Sequence, residues 1–84
     1  MEVEIENSTN LEELRLKKRF ELELSEEATI GELLSELDLN RLKEEDGSLS
    51  SLVMVFKNKK AVRSVDEKLS EGDKIKIMPL ASGG

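Results

Sequence analysis

Cysteine and histidine, two residue types that carry much of enzymatic chemistry, are both missing from this sequence. Without cysteine the chain has no thiolate nucleophile, no disulfide and no zinc-thiolate site. Without histidine it lacks the commonest general base and a common metal ligand. The carboxylates form no D-x-[DN]-x-[DN]-G loop for calcium, and the sequence has no glycine-rich phosphate loop. We therefore expect a protein that is not an enzyme and that holds no metal and no permanent cofactor.

The group best placed to react is the carboxylate at the end of MPLASGG, residues 78–84. Gly83 and Gly84 have no Cβ atoms, so they can pass through a channel that is too narrow for other residues. An extended chain from Leu80 to Gly84 reaches at most about 16 Å, which is far enough to enter a buried active site of another protein. The alternative explanation is an inert, frayed end.

The length and composition describe one small globular domain. The chain has 84 residues, of which 37% are hydrophobic, and the apolar residues fall in periodic groups that can form one small core. We assign residues 1–79 to the domain and residues 80–84 to a flexible tail. No apolar run is long enough to cross a membrane, and the first residues, MEVEIEN, lack the parts of a signal peptide. We therefore expect a cytoplasmic protein that is monomeric when free.

The charge balance favours a protein partner. The chain has 13 lysines and arginines against 19 aspartates and glutamates, which leaves a net charge of −6. Such a chain would repel the phosphates of nucleic acid unless its basic residues gathered on one face. An acidic module suits a basic protein partner instead, with electrostatic steering strongest at low salt. We expect neither nucleic acid nor membranes among the partners.

Alternating hydrophobic residues predict two strands near the start of the chain. The first strand contains Val3 and Ile5, which alternate with glutamates. The second strand contains Phe20, Leu22 and Leu24. Between them, residues 9–14 begin with a capping box, TNLE, that predicts a short helical turn. We expect the two strands to pair as a hairpin.

One amphipathic helix is predicted in the middle of the chain. Its apolar residues recur at i, i+3, i+4 and i+7, which forms a single stripe. The stripe consists of Ile30, Leu33, Leu34 and Leu37. Thr29 can cap the helix, and Glu32 completes the capping box. The polar stretch at residues 40–51 then predicts a loop with one irregular turn around Leu42.

Three further strands are predicted after this loop. The apolar run at residues 52–56 is short and contains two valines, which favours a central strand over a helix. Residues 61–65 predict a weaker edge strand. Residues 74–78 predict the last strand, which Pro79 ends because proline has no N–H to donate. The element order is ββαβββ, so we expect an α+β fold in which a mixed sheet of four to five strands packs on one main helix.

The alternation within residues 52–56 separates two sets of side chains. One face receives Val53 and Val55. The other face receives Leu52, Met54 and Phe56. We expect one set to face the helix and the other to form an exposed patch beside Met78, which would suit a partner interface. The alternative is that loops cover both sets.

The last part of the chain, LSEGDKIKIMPLASGG at residues 69–84, resembles the end of the ubiquitin-like sulfur carriers. The shared features are a Gly-Asp turn, a final strand of alternating hydrophobic residues, a proline, and small residues before a Gly-Gly pair. The helix start ATIGELL, residues 28–34, also resembles the A-T-V-x-E-L-L stretch of that family. The family includes the small subunit of molybdopterin synthase, the thiazole-synthesis sulfur carrier and the archaeal small modifier proteins.

The resemblance implies a ubiquitin-like β-grasp fold whose C-terminal carboxylate is the reactive group. An E1-like enzyme would adenylate Gly84 with ATP, and the adenylate would yield either a thiocarboxylate or an isopeptide bond to a lysine of a target protein. The thiocarboxylate would supply sulfur to molybdopterin, thiazole or tRNA. The resemblance also implies that the activating enzyme recognises the residues before Gly84, which are Pro79, Leu80, Ala81, Ser82 and Gly83.

The sequence departs from molybdopterin-synthase small subunits at several positions. Those proteins commonly have phenylalanine before the proline and a V-N-G hairpin, whereas this chain has Met78 and Lys57-Asn58-Lys59. We therefore expect a general sulfur carrier or protein modifier, with the molybdopterin synthase large subunit as one of several candidate acceptors. The alternative function is a non-covalent β-grasp adaptor that binds a protein through its sheet.

Overall fold

The computed structural model describes residues 1–9 and 18–79. The helical turn predicted over residues 9–14 lies outside these ranges apart from Thr9. The described elements in chain order are β1 (Glu2–Asn7), β2 (Arg19–Glu23), α1 (Ile30–Glu36), a 3₁₀ helix (Asn40–Leu42), β3 (Val53–Lys57), β4 (Lys60–Val62) and β5 (Lys74–Pro79).

The five strands form one mixed sheet in the order β2-β1-β5-β3-β4. β1 pairs with β2 in antiparallel orientation, as the sequence predicts, and with β5 in parallel orientation. β3 pairs antiparallel with both β5 and β4. A parallel pair requires a long crossover connection, and the chain between β1 and β5 contains α1. The α+β prediction, with a mixed sheet on one main helix, is confirmed, and the sheet has five strands.

The helix α1 begins where the sequence predicts. Thr29 has an extended backbone, and its Oγ1 accepts a hydrogen bond from the N–H of Glu32 at 3.3 Å. All four residues of the apolar stripe are buried, because the stripe faces the sheet. The helix ends at Glu36, and Leu37, the last residue of the stripe, is its C-cap. No helix in the two described ranges is long and apolar enough to cross a membrane.

The hydrophobic core lies between α1 and the sheet face turned towards it. Every second residue of the inner strands points into this layer and is almost completely buried. These strand residues are Val3, Ile5, Val55, Ile75 and Ile77. Full burial of such a side chain contributes about 1.5–3 kcal/mol to folding. Leu42 is also fully buried, and the predicted irregular turn around it is confirmed as the 3₁₀ helix.

Several strand boundaries differ from the prediction. β3 runs from Val53 to Lys57 rather than over residues 52–56, and Leu24 follows β2 rather than belonging to it. β4 ends at Val62, because the residues that follow pair with the preceding loop instead. In that pairing the N–H of Leu49 donates to the carbonyl of Arg63 at 3.2 Å, and the N–H of Val65 donates to the carbonyl of Gly47 at 2.9 Å. β5 is one residue longer than predicted, since Pro79 can occupy the end of a strand where its missing N–H disrupts little.

Candidate functional site

Pro79 is the last described residue and lies at the end of β5, the central strand of the sheet. The residues predicted for recognition and activation lie outside the described residues, so their roles stay predictions. These residues are Leu80, Ala81, Ser82, Gly83 and Gly84. The structure does define the surface from which the chain continues towards them. We call the side of the sheet that is turned away from α1 the outer face.

Three of the side chains predicted for a partner interface, Met54, Phe56 and Met78, lie at this outer face, and the fourth, Leu52, lies in the turn just before β3. Leu52 is 68% exposed and Met54 is 36% exposed, while Phe56 and Met78 are half-buried. Met54 and Met78 lie directly opposite each other in the β3–β5 pair. The valines of β3 are buried in the core instead, so loops do not cover both sets of side chains. We call Leu52, Met54, Phe56 and Met78 the apolar patch; its role in binding stays a prediction.

The apolar patch borders a groove of about 560 Å³ on the outer face. Phe56 and Met78 contribute apolar surface to the groove, and charged side chains of β1, β2 and β5 also line it. Methionine is flexible and polarisable, so Met78 can adapt to partner groups of different shape. The groove therefore combines an adaptable apolar surface with fixed charges.

A network of ion pairs crosses the outer face from β2 to β5. Arg19 of β2 contacts Glu6 at 2.8 Å and Glu4 at 3.5 Å, and Lys76 of β5 contacts Glu6 at 3.5 Å. The hydrogen bond from Arg19, with a further contribution from the charge of Lys76, lowers the pKa of Glu6 below its ordinary value. The same hydrogen bond, which Arg19 donates to Glu6, raises the pKa of Arg19. The charges of this part of the groove are thus compensated within the chain.

Two further cations, Lys59 and Lys74, also line the groove, and Lys74 lies directly opposite Glu4 in the β1–β5 pair. Lys59 lies in the turn between β3 and β4, and Lys74 is the first residue of β5. Neither forms an ion pair with a described residue. Asn58 joins the backbone of the two segments, because its N–H donates to the carbonyl of Lys74 at 2.8 Å and its Oδ1 accepts from the N–H of Lys74 at 3.0 Å.

The margin of the sheet around the start of β1 is acidic. Glu2 lies near Glu21 and Glu23 of β2 and near Glu71. The hydrogen bond with the carboxyl group of Glu21, and the charge of Glu21, raise the pKa of Glu2 above its ordinary value. In residues 1–9 and 18–79 no group of acidic side chains is arranged to hold a metal ion. The outer face therefore has an acidic margin on one side and an apolar, locally basic region on the other.

Sequence reasoning predicts the apolar patch but misses the ion-pair network. The alternation of charged and hydrophobic residues in β1 and β5 places Glu4 and Glu6 on one face of one strand, and Lys74 and Lys76 on one face of the other. Their contact depends on the pairing of β1 with β5, which come from opposite ends of the described chain. No local pattern indicates that pairing.

This fold, with an exposed apolar patch beside the strand that leads to a Gly-Gly sequence, defines the class of ubiquitin-like sulfur carriers. The sequence model of the ThiS family matches residues 3–84, so the chain belongs to the ThiS family. The resemblance drawn from residues 28–34 and 69–84 is thereby confirmed. No curated protein matches the sequence.

Solved structures share the fold over nearly the whole chain. SAMP1 from Haloferax volcanii has a TM-score of 0.76 and 23% identity, with 100% of each chain covered. The putative molybdopterin converting factor subunit 1 from Pyrococcus furiosus has a TM-score of 0.74 and 25% identity, covering 96% of this chain and 99% of that one. Molybdopterin-converting factor from Helicobacter pylori, solved as a complex of subunits 1 and 2, has a TM-score of 0.65 and 22% identity, with 100% of each chain covered.

Proposed function

We propose that this protein is a sulfur carrier or protein modifier whose Gly84 carboxylate is activated by an E1-like enzyme. The observation that carries the proposal is the position of the apolar patch. Met78 precedes Pro79 in β5 and lies opposite Met54 of β3. A partner seated on this patch would meet the chain where it continues towards Gly84. Membership of the ThiS family, with a match that extends to residue 84, supports the same conclusion.

The proposed activation consists of two displacements in the active site of the partner enzyme. A carboxylate oxygen of Gly84 attacks the α-phosphorus of ATP, and pyrophosphate leaves, which gives an acyl-adenylate. Hydrosulfide then attacks the carbonyl carbon and AMP leaves, which gives the thiocarboxylate. In conjugation, the amine of a target lysine attacks the same carbon and releases AMP and a proton. ATP is used by the activating enzyme, and this chain is its substrate rather than an enzyme.

The affinity for the enzyme has to come from the folded domain. Fixing the backbone of a peptide segment in one conformation costs about 1–2 kcal/mol per residue. Small side chains such as Ala81 and Ser82 bury too little apolar area to offset this cost. Leu52 and Met54, by contrast, expose apolar side chains of a type that contributes about 1.5–3 kcal/mol when fully buried. We therefore assign docking to the apolar patch, and passage through the active-site channel to Pro79, Leu80, Ala81, Ser82 and Gly83.

The proposed partners are proteins. In the Helicobacter pylori structure, subunit 1 of molybdopterin-converting factor is bound to subunit 2. A molybdopterin synthase large subunit of this kind is one candidate acceptor, and lysines of target proteins are another. The net charge of −6 disfavours nucleic acid, whose phosphates it repels. We propose that the protein acts in the cytoplasm, away from membranes, and is a monomer when free.

Intact-mass spectrometry tests the activation directly. The protein is incubated with ATP, sodium sulfide and the E1-like enzyme of the same organism. We expect a mass gain equal to the replacement of one oxygen by sulfur, and we expect a Gly84 deletion and a variant with one serine added after Gly84 to lose it. If the unsubstituted protein shows no gain with an enzyme that is active on another carrier, the proposal is wrong. A non-covalent adaptor would still bind its partner with the added serine.

A pair of charge-matched variants tests docking through the apolar patch. Met54→Asp introduces one carboxylate into the apolar patch, and Ser25→Asp introduces one at an exposed position outside both the patch and the groove. We expect Met54→Asp to slow thiocarboxylate formation and Ser25→Asp to leave its rate unchanged. Equal rates for the two variants would contradict the assignment of the patch.

A further inference from the structure

The local charge of the groove points to a partner chemistry that the net charge does not predict. The chain as a whole is acidic, yet Lys59 and Lys74 line the groove together with Phe56 and form no ion pair with a described residue. The other cations of the groove are compensated by the glutamates of β1. A partner group that enters the groove therefore meets positive charge at these two lysines.

The backbone at Lys59 gives an independent reason to connect this lysine with binding. Asn58 and Lys59 form the two-residue turn between β3 and β4, with φ values of 51° and 74°. Such a turn favours Asn followed by Gly, because both positions have positive φ. A lysine at the second position is strained by its Cβ atom, and strained residues concentrate at functional sites. No ion pair within the described chain accounts for the charge at this position.

The turn also holds the two lysines in a defined relationship. Asn58 is hydrogen-bonded to the backbone of Lys74 through both its main-chain N–H and its side-chain oxygen. Its Nδ2 donates to Oδ1 of Asp73 at 2.8 Å. The backbone segments that carry Lys59 and Lys74 are therefore fixed relative to each other, which reduces the ordering cost of a joint contact.

We infer that Lys59 and Lys74 bind a carboxylate of the activating enzyme, next to an apolar side chain of that enzyme that packs on Phe56 and Met78. The inference rests on the proposed function and specifies the chemistry of the docking surface. An acidic group suits the two ammonium groups, and an apolar group suits the side chains of Phe56 and Met78 beside them. The acidic margin around Glu2 repels the same carboxylate, so the distribution of charge orients the partner on the outer face.

Lys59→Gly separates a binding role from a structural role, because we expect it to stabilise the folded protein and to weaken its binding to the enzyme. Removing the strain should raise Tm by roughly 4 °C. Removing the charge should raise Kd for the E1-like enzyme about two- to fivefold at low salt, measured by isothermal titration calorimetry. We expect a similar rise for Lys74→Ala, and a weaker dependence of Kd on salt in the double variant. Lys60→Ala, in the same hairpin but not among the groove residues, is the matched control and should leave Kd unchanged.

Three outcomes would overturn the inference. One is an unchanged Kd in both Lys59→Gly and Lys74→Ala; thiocarboxylate formation in the same samples would leave the proposed function intact. Another is a loss of affinity that is equal at low and high salt, since this would indicate a structural effect. The third is the absence of both binding and thiocarboxylate in the unsubstituted protein, with the enzyme shown to be active on another carrier. That result would overturn the proposed function as well.

Discussion

Asn58 donates a hydrogen bond from Nδ2 to Oδ1 of Asp73 at 2.8 Å, across a sequence separation of 15 residues. Asp73 is only 9% exposed, and its second oxygen, Oδ2, accepts a hydrogen bond from the N–H of Ser70 at 2.8 Å. One carboxylate thus joins the β3–β4 turn to the turn that precedes β5. The contact therefore helps to hold the start of β5 beside the β3–β4 turn.

Replacement of Asp73 should be costly for this reason. Asp73→Ala removes the acceptor of both hydrogen bonds and leaves the amide groups of Asn58 and Ser70 without it. We expect the free energy of unfolding to fall by about 2–3 kcal/mol, as measured by urea denaturation. Asp66→Ala, at an exposed aspartate in a nearby turn, should change it by less than about 0.5 kcal/mol. Equal stabilities for the two variants would show that the Asp73 contacts contribute little.

Gly31 lies where the first turn of α1 contacts the chain segment before β5. Its N–H donates to the carbonyl of Val65 at 2.9 Å, and a Cβ atom added to Gly31 would lie 3.2 Å from the Cβ of Val65 and 3.3 Å from its carbonyl oxygen. We expect Gly31→Ala to lower the free energy of unfolding by about 1–2 kcal/mol, because overpacking outweighs the higher helix propensity of alanine.

The matched control for Gly31→Ala is Glu36→Ala, at an exposed position of the same helix. We expect this substitution to change the free energy of unfolding by less than about 0.5 kcal/mol. Chemical denaturation of both variants makes the comparison. A stabilised Gly31→Ala variant would mean that Val65 moves away at little cost.

Adjacent residues of β3 should respond differently to truncation, because they point to opposite sides of the sheet. Val55 is 2% exposed and Met54 is 36% exposed. We expect Val55→Ala to lower the free energy of unfolding by about 2 kcal/mol and Met54→Ala by less than half as much. In the enzyme-binding assay the order should reverse, with Met54→Ala the weaker binder. Similar stability losses for both variants would contradict the placement of Met54 at the outer face.

Two glutamates of β1 should give the protein opposite responses to pH. The pKa of Glu2 is raised above its ordinary value of 4.5, so its contribution to stability is largest below that value and declines as the pH rises through the folded-state pKa. The pKa of Glu6 is lowered, so its contribution is present above 4.5 and is lost as the pH falls through the folded-state pKa. At neutral pH, Glu2→Gln should therefore raise Tm and Glu6→Gln should lower it.

Thermal melts of both variants at a series of pH values check these signs. Both differences from the unsubstituted protein should shrink as the pH is lowered, because the carboxyl groups of Glu2 and Glu6 then become neutral in the folded and unfolded states alike. Added salt at neutral pH should also reduce both differences, since the charges are exposed. Shifts of the same sign for the two variants would contradict the charge arrangement of the outer face.

Local patterns in the sequence predict the elements that depend on short-range chemistry. The i, i+3, i+4, i+7 spacing that starts at Ile30, with Thr29 as the cap, identifies α1 because both signals lie within a few turns of helix. Alternation predicts the strands in the same way. The boundaries of β4 were less predictable, since they depend on whether the residues after Val62 pair with β3 or with the loop around Gly47.

The candidate site also combines features that local sequence patterns predict with features that depend on long-range packing. The sequence alone determines the kinds of element, their order, the Gly-Gly tail that marks Gly84 as the predicted reactive residue, and the fact that Met54 and Val55 must point to opposite faces. Only the tertiary structure decides that β5 lies between β1 and β3, that Met54 meets Met78 on the outer face, and that Lys59 and Lys74 line the groove without an ion pair to a described residue. The physical reason is range: helix caps and strand alternation act over a few residues, whereas the burial of one sheet face against α1 is a property of the whole packed chain.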